Sequence, residues 1–258
     1  MECKTCKNNL RSDFSYCPQC GGKVIRNRLT LKNIWDDLKF QVLDIDNTLF
    51  KTFRHLFTKP EVVIESFISG ARKKYMNPVS YIAVAITLTG ILLFFIKRAF
   101  PEGIDFDIMN TGVYDAEANK RMTNFLLNFY NILFILQIPI LALTGLITFS
   151  EKKYLFSEHL VSFMYSQAQY SILSIPISIA VVILAPQYYM NLSLFMVAFM
   201  LGYNLYVLKK LHRVKKGDFW LKAFVFIMLF GVGYMGLSLI QFIWMLASGV
   251  ISFDSLSN

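Results

Sequence analysis

All four cysteines of this 258-residue chain lie within its first twenty residues, as two Cys-x-x-Cys pairs separated by ten residues. Each pair can form a tight turn that directs two thiolates toward the same point. Four converging thiolates are typical of a tetrahedral, structural Zn²⁺ site. The predicted zinc ligands are Cys3, Cys6, Cys17 and Cys20.

Two alternatives would use the same cysteines. A disulfide framework requires an oxidising compartment, and we expect no export of the N-terminus. A redox motif would place a single Cys-x-x-Cys beside a βαβ pattern. Because four protein ligands close the coordination sphere, the pattern favours structural zinc over catalytic zinc. A segment of this size buries no sizeable core, so metal binding would supply its folding free energy.

The remainder of the chain is too apolar for a soluble domain, with 55% hydrophobic and only 17% charged residues overall. Apolar stretches of membrane-spanning length account for this composition. The predicted fold is an all-α polytopic membrane protein with about five transmembrane helices, although a count of six stays open. The predicted spans lie near residues 78–96, 124–149, 160–185, 189–208 and 219–247.

The distribution of charge predicts the orientation of these spans. Residues 1–77 hold fourteen Lys and Arg against eight acids, and the loop 209–218 holds five against one. The loop 97–123 holds four against five. Since positive loops stay in the cytoplasm, we expect a multi-pass protein of the bacterial cytoplasmic (inner) membrane with a cytoplasmic N-terminus and an external C-terminus. The zinc head would then lie in a reducing compartment.

The net charge of +9 also raises the hypothesis of nucleic-acid binding. No recognition helix or aromatic-interleaved basic pattern accompanies the charges. Contacts with anionic lipid headgroups, at about 1 kcal/mol for each basic residue, explain them better. The predicted partner is therefore an anionic bilayer surface, without nucleic acid.

Three segments complete the predicted organisation. Residues 1–26 form a zinc ribbon, residues 27–77 form cytoplasmic amphipathic helices, and residues 78–250 form the membrane domain. Apolar residues recur at helical spacing within 27–77, where Pro60 suits a first helical turn and Gly70 can end that helix. Such helices can lie in the membrane interface or pack under the bundle.

A series of residues in the first part of the chain resembles a known family. The series comprises the two cysteine pairs and then Arg28, Leu29, Thr30, Asp46, Thr52, Leu56, Lys59, Pro60, Ile64, Gly70, Arg72, Tyr75 and Pro78. It is similar to bacterial zinc-ribbon-headed membrane proteins known as domain of unknown function 3667, over residues 3–96. Glu61 and Ala71 depart from residues frequent in that family. The resemblance implies an inner-membrane location and no activity.

Uncharged polar residues repeat along the predicted spans. Asn124, Asn128 and Asn131 recur at i, i+4 and i+7, and the third span repeats this spacing. Hydrogen bonds between helices would explain the pattern; the functional alternative is a polar cavity for a neutral or lipid-like ligand. Pro139 and Pro176 could open such a cavity by kinking their helices. The candidate cavity residues are Asn128, Asn131, Gln169, Asn204 and Gln241.

Chemistry within the membrane is not expected. The predicted spans contain one ionisable side chain, Lys222, at a helix end. Proton-coupled transport and intramembrane hydrolysis need ionisable groups at membrane depth. The three histidines, His55, His159 and His212, lie in separate segments on the cytoplasmic side, where solvated imidazoles are expected. The protein is therefore predicted not to be an enzyme.

One glycine motif resembles a dinucleotide-binding sequence but does not predict a bound dinucleotide here. Gly231, Gly233 and Gly236 spell the G-x-G-x-x-G dinucleotide fingerprint. That motif binds pyrophosphate only between a strand and a helix N-terminus. Because these glycines lie inside a predicted span, close packing of helices explains them better.

The sequence is compatible with two functions. The first is a cytoplasmic docking, regulatory or scaffold role in which the zinc head binds a protein partner. The alternative is a transporter or lipid-handling permease that uses the uncharged polar cavity. The oligomeric state, the partner and the role of the outer loop 97–123 are not predicted.

Overall fold

The chain divides into two compact units, Met1–Asp46 and Asn47–Asn258, which we call the head and the membrane unit. The structure is a computed structural model. It describes residues 2–3, 6–20, 48–71, 74–99, 116–185 and 189–250. Residues 27–47 of the predicted amphipathic segment, residues 100–115 of the predicted outer loop and residues 251–258 lie outside these residues.

The described part of the membrane unit is built from seven helices. In chain order they are α1 (48–58), α2 (Pro60–Ile68), α3 (Pro78–Ala99), α4 (Ala116–Thr148), α5 (Phe156–Leu184), α6 (Tyr189–His212) and α7 (Lys216–Ala247). Within the described residues the only β-pairing is an isolated bridge between Glu2 and Asn9 in the head. The prediction of an all-helical membrane unit is therefore confirmed.

Three helices in the described residues are long and apolar enough to cross a membrane. They are Pro78–Ile96, Phe156–Leu184 and Gly217–Ala247, which correspond to the first, third and fifth predicted spans. Helices α4 and α6 contain the other two predicted spans and are 33 and 24 residues long. Several helices extend past the predicted span ends, because Ala, Lys and Glu beside the apolar segments also favour helix. These features indicate a helical membrane protein.

Helix α5 lies at the centre of the membrane unit, in contact with α2, α3, α4 and α6. Its first half is lined with small and polar residues that are fully buried, and such residues allow neighbouring helices to approach closely. Helix α7 packs mainly against α4 and leaves a broad apolar face exposed, as expected for a helix surrounded by lipid. The buried α5 residues include Ser162, Ser166, Ala168 and Ser171.

A glycine of α7 permits its contact with α4. A Cβ atom added at Gly233 would lie 2.6 Å from Cγ2 of Ile140, a separation that real Cβ atoms essentially never show. At Gly231 and Gly236 an added Cβ would meet no atom within 4 Å. All three glycines lie inside one long helix, whose amides are occupied by its own hydrogen bonds. Helix packing at Gly233 thus explains part of the G-x-G-x-x-G motif.

Helices α1 and α2 pack against the bundle through a buried apolar face that includes Leu56, Val63 and Ile64. Pro60 occupies the first turn of α2, as predicted, and Gly70 follows the helix with a φ of 95°. A positive φ favours glycine because it carries no Cβ. The apolar face therefore attaches these juxtamembrane helices to the bundle.

Tyrosines of α6 bind the last turn of α1. The hydroxyl of Tyr203 donates to the carbonyl of Leu56 at 3.0 Å, and that of Tyr206 donates to the carbonyls of Phe57 and Thr58 at 3.2 and 3.3 Å. The last carbonyls of a helix have no partner inside it. These hydroxyls therefore both cap α1 and join it to the membrane helices.

Candidate metal centre and buried polar groups

The four cysteine sulfurs of the head lie within 4.8 Å of one another. The Sγ atoms of Cys3 and Cys20 are 3.6 Å apart, and those of Cys6 and Cys17 are also 3.6 Å apart. A disulfide would bring two sulfurs to about 2.05 Å. A tetrahedral site with metal–sulfur bonds of about 2.3 Å has sulfur–sulfur edges of about 3.8 Å. The arrangement is therefore compatible with a single bound metal ion.

Backbone hydrogen bonds shape the first cysteine turn. The amide of Lys7 donates to the carbonyl of Cys3 at 2.8 Å, and the amide of Cys3 donates to the carbonyl of Asn8 at 2.9 Å. Lys7 has a φ of 58°, which reverses the chain just after Cys6. Cys3 and Cys17 are buried with Leu10, and Phe14 packs against them. The apolar cluster of the described head is therefore small.

Gln169, one of the predicted cavity residues, is fully buried and bonds to two other helices. Its Oε1 accepts a short hydrogen bond from the hydroxyl of Tyr81 on α3. Its Nε2 donates to the carbonyl of Phe53 on α1 at 3.2 Å. The side chain thus joins α1, α3 and α5.

The other candidate cavity residues that the structure describes lie in different surroundings. Asn204 is buried, and its Oδ1 accepts a hydrogen bond from Ser166 at 2.6 Å. Asn128 is exposed on α4, and the side chain of Asn131 lies outside the described part of the structure. Gln241 lines a cavity between the membrane helices. Ser166 and Gln169, both on α5, thus make interhelical hydrogen bonds.

The segment before α3 is also fixed by side chains of the membrane unit. The amide of Met76 donates to Oγ1 of Thr52 at 2.9 Å, and the hydroxyl of Tyr165 donates to the carbonyl of Met76 at 2.6 Å. His55 Nδ1 lies 2.7 Å from the hydroxyl of Tyr75. Burial and the nearby cations Lys51 and Arg54 lower the pKa of His55. These contacts attach the segment before α3 to α1 and α5.

His159 and His212 form a buried pair that sequence reasoning missed. The two residues are only 1% and 2% exposed, and their ring centroids are 5.4 Å apart. Tyr154 contacts both rings edge-on. Both nitrogens of His212 and Nε2 of His159 are buried without a hydrogen-bond partner among the described residues. The expectation of solvated histidines is therefore wrong for this pair.

The two histidines are buried because the start of α5 and the end of α6 both pack against the short loop that follows α4. Sequence alone places each histidine at the end of an apolar helix but does not show that the two ends meet. Burial, the neighbouring His159 ring and the cations Lys152 and Lys222 lower the pKa of His212 to about 4. His212 is therefore neutral at physiological pH, although Nδ1 lies 3.9 Å from the carboxylate of Glu151.

Two lysine–carboxylate pairs flank the histidines. Lys152 in the loop after α4 pairs with Glu65 of α2, and the hydroxyl of Tyr154 donates to the same carboxylate at 3.3 Å. Lys222 of α7 pairs with Glu151 at 2.5 Å. Burial raises the pKa of Glu65, but the hydrogen bond and charge of Lys152 outweigh it and hold the pKa below its usual value. The first pair joins α2 to the bundle electrostatically.

The lowered pKa of Glu65 predicts a loss of stability in acid. The stabilisation is fully present above the unfolded-state pKa of about 4.5 and disappears as the pH falls through the lower folded-state value. Since the pair is about one-third exposed, we expect it to contribute about 0.5–1 kcal/mol to the free energy of unfolding. Glu65→Gln should therefore lower the unfolding midpoint at pH 7 but not at pH 3, as measured by thermal unfolding in detergent. Lys152→Met should behave in the same way. An equal effect of Glu65→Gln at both pH values would contradict this assignment.

Comparison with known protein families finds a match for one segment of the chain. Residues 46–90 match the model of a family described as a protein of unknown function (DUF3667). The matched segment runs from just before α1 into α3, and it includes Thr52, Leu56 and Tyr75 of the junction described above. No curated protein and no solved structure matches the chain. The resemblance stated from the sequence is thus confirmed over this segment.

Proposed function

We propose that this is a five-span protein of the bacterial cytoplasmic membrane with a cytoplasmic N-terminus and an external C-terminus. The three apolar spans and the lengths of α4 and α6 support the count. The orientation is supported by the basic charge before α3 and between α6 and α7. Lys209, Lys210 and Arg213, at the end of α6, would face anionic lipid headgroups.

The head is proposed to hold one structural Zn²⁺ through Cys3, Cys6, Cys17 and Cys20. The single observation that carries this proposal is the close approach of four cysteine sulfurs, all within 4.8 Å of one another. Because all four coordination positions would be filled by protein, the ion would have no site for substrate. We therefore propose a non-enzymatic role.

That role, in our proposal, is docking of a cytoplasmic protein to the membrane. A short segment that is folded around zinc presents a rigid surface. On this head, Tyr16 is 54% exposed. Exposed tyrosines are frequent anchors of protein interfaces because they bury a large area with few rotatable bonds. The alternative, a transporter or permease, needs a continuous cavity that reaches one face of the membrane, and it stays a prediction.

Affinity capture from detergent tests the docking role. The proteins that co-purify with the wild type should be lost from the double variant Cys17→Ser, Cys20→Ser, because its head no longer folds. They should be strongly reduced with Tyr16→Ala, which retains the zinc ligands. Thr87→Val serves as a control, since Thr87 is exposed on α3 and its hydroxyl donates to the carbonyl of Ala83 in its own helix. Recovery of the same proteins with every variant would exclude docking by the head.

A further inference from the structure

A cavity of 390 Å³ lies among α4, α5, α6 and α7. Its volume falls within the range of about 300–1,000 Å³ that is common for small-molecule sites. Gln137 lines it eleven residues before the end of α4, and Ser174 lines it ten residues before the end of α5. At about 1.5 Å per residue, both side chains lie about 15 Å from those helix ends. The cavity is therefore at the depth of the hydrocarbon layer.

Two glutamine amides face this cavity from different helices, Gln137 from α4 and Gln241 from α7. Neither amide has a hydrogen-bond partner within the described part of the chain. By contrast, the hydroxyl of Ser174 donates to the carbonyl of Ser171 within its own helix. An unpaired polar group in hydrocarbon costs several kcal/mol. The two amides are thus available to a partner that enters the cavity.

The remaining walls define the chemistry of that partner. They are mainly apolar and include Met196 and Met200, whose flexible side chains adapt to irregular shapes. No charged residue is found among the described residues that line the cavity. An ionic group placed there would have no counter-ion in a medium of low dielectric constant, whereas a neutral group would need only hydrogen bonds.

We propose that this cavity binds an uncharged lipid whose head carries hydroxyl or ester groups, with diacylglycerol as the representative class. Gln137 and Gln241 each offer a donor and an acceptor to such a head, and the methionine and aromatic walls contact the first part of its acyl chains. The site is independent of the docking role proposed for the zinc head. It uses only one of the residues that the polar pattern of the sequence selected, Gln241.

Photolabelling tests the site in the full-length protein. The protein is reconstituted in phosphatidylcholine vesicles that contain a small fraction of photoreactive diacylglycerol, and labelled peptides are mapped. Label should concentrate on the peptides around Gln137 and Gln241 and should be displaced by unlabelled diacylglycerol. The double variant Gln137→Leu, Gln241→Leu should lower the displaceable label about tenfold, as expected for the loss of two hydrogen bonds in a membrane.

One control variant separates lipid binding from misfolding, and one competitor tests the requirement for an uncharged head. Ser178→Leu fills the cavity without removing either amide, so it should also reduce the displaceable label even if the glutamine variant folds poorly. Phosphatidic acid with the same acyl chains should not compete, because its head is charged. Label that spreads over the whole lipid-facing surface, label that no variant changes, or equal competition by phosphatidic acid would each overturn the proposal.

Discussion

Replacing Cys17 and Cys20 with serine is expected to remove one equivalent of zinc from the purified protein and to unfold its head. The described apolar cluster of the head contains only Cys3, Leu10 and Cys17, with Phe14 against it. So small a cluster cannot offset the conformational entropy of the segment. Structural zinc contributes about 10–16 kcal/mol in comparable small domains at neutral pH. No other substitution proposed for this protein has so large an expected effect.

Three measurements together check this expectation. Elemental analysis should find one zinc per wild-type chain and none in the double variant. Thiol-reactive reagents should modify the two remaining cysteines of the variant rapidly, while the wild-type cysteines react slowly until a chelator is added. The helical signal in circular dichroism should change little, since the membrane helices are held by their own packing.

A matched substitution in the head separates metal loss from general damage. Asp13→Asn removes the charge of an exposed ion pair with Arg11 and leaves every sulfur in place, so it should retain full zinc. The assignment would be wrong if the cysteine variant kept its zinc. It would also be wrong if the wild type, purified under reducing conditions, contained no zinc and its thiols reacted at once.

The features that could be predicted from sequence are those set by local spacing. The two cysteine pairs lie close along the chain, so their convergence needs only two turns. Five apolar segments were predicted as spans, and three of them are helices long and apolar enough to cross a membrane, because length and apolarity alone decide this property. Pro60 and Gly70 marked the two ends of α2 for equally local reasons.

The features that could not be predicted depend on which helices meet. The polar repeat placed Gln169 on one face of its helix, but its partners Tyr81 and Phe53 lie 88 and 116 residues away along the chain. His159 and His212 gave no signal because each is a single histidine at a helix end. The cavity formed by Gln137 and Gln241 was missed in part because Gln137 does not belong to the asparagine repeat of its own helix.

Replacing Gln169 with leucine should therefore test whether the buried polar groups hold the juxtamembrane helices to the bundle. The variant leaves the hydroxyl of Tyr81 and the carbonyl of Phe53 without the partners seen in the structure. An unpaired buried group costs about 1–3 kcal/mol. Hydrogen bonds inside membrane bundles contribute about 0.6 kcal/mol on average, because the unfolded chain also finds partners. We expect Gln169→Leu to lower the free energy of unfolding by about 2 kcal/mol. Denaturant unfolding in mixed micelles measures this change.

A double-mutant cycle identifies the hydrogen bond itself as the cause. Tyr81→Phe removes the orphaned hydroxyl, so the combined variant Gln169→Leu, Tyr81→Phe should be less destabilised than the sum of the two single variants. Gln137→Leu is the matched control, because the same substitution on α4 removes an amide for which no partner is found among the described residues. It should cost little or even stabilise the protein. If Gln169→Leu and Gln137→Leu changed the unfolding free energy equally, the junction between α1, α3 and α5 would depend on apolar packing rather than on this amide.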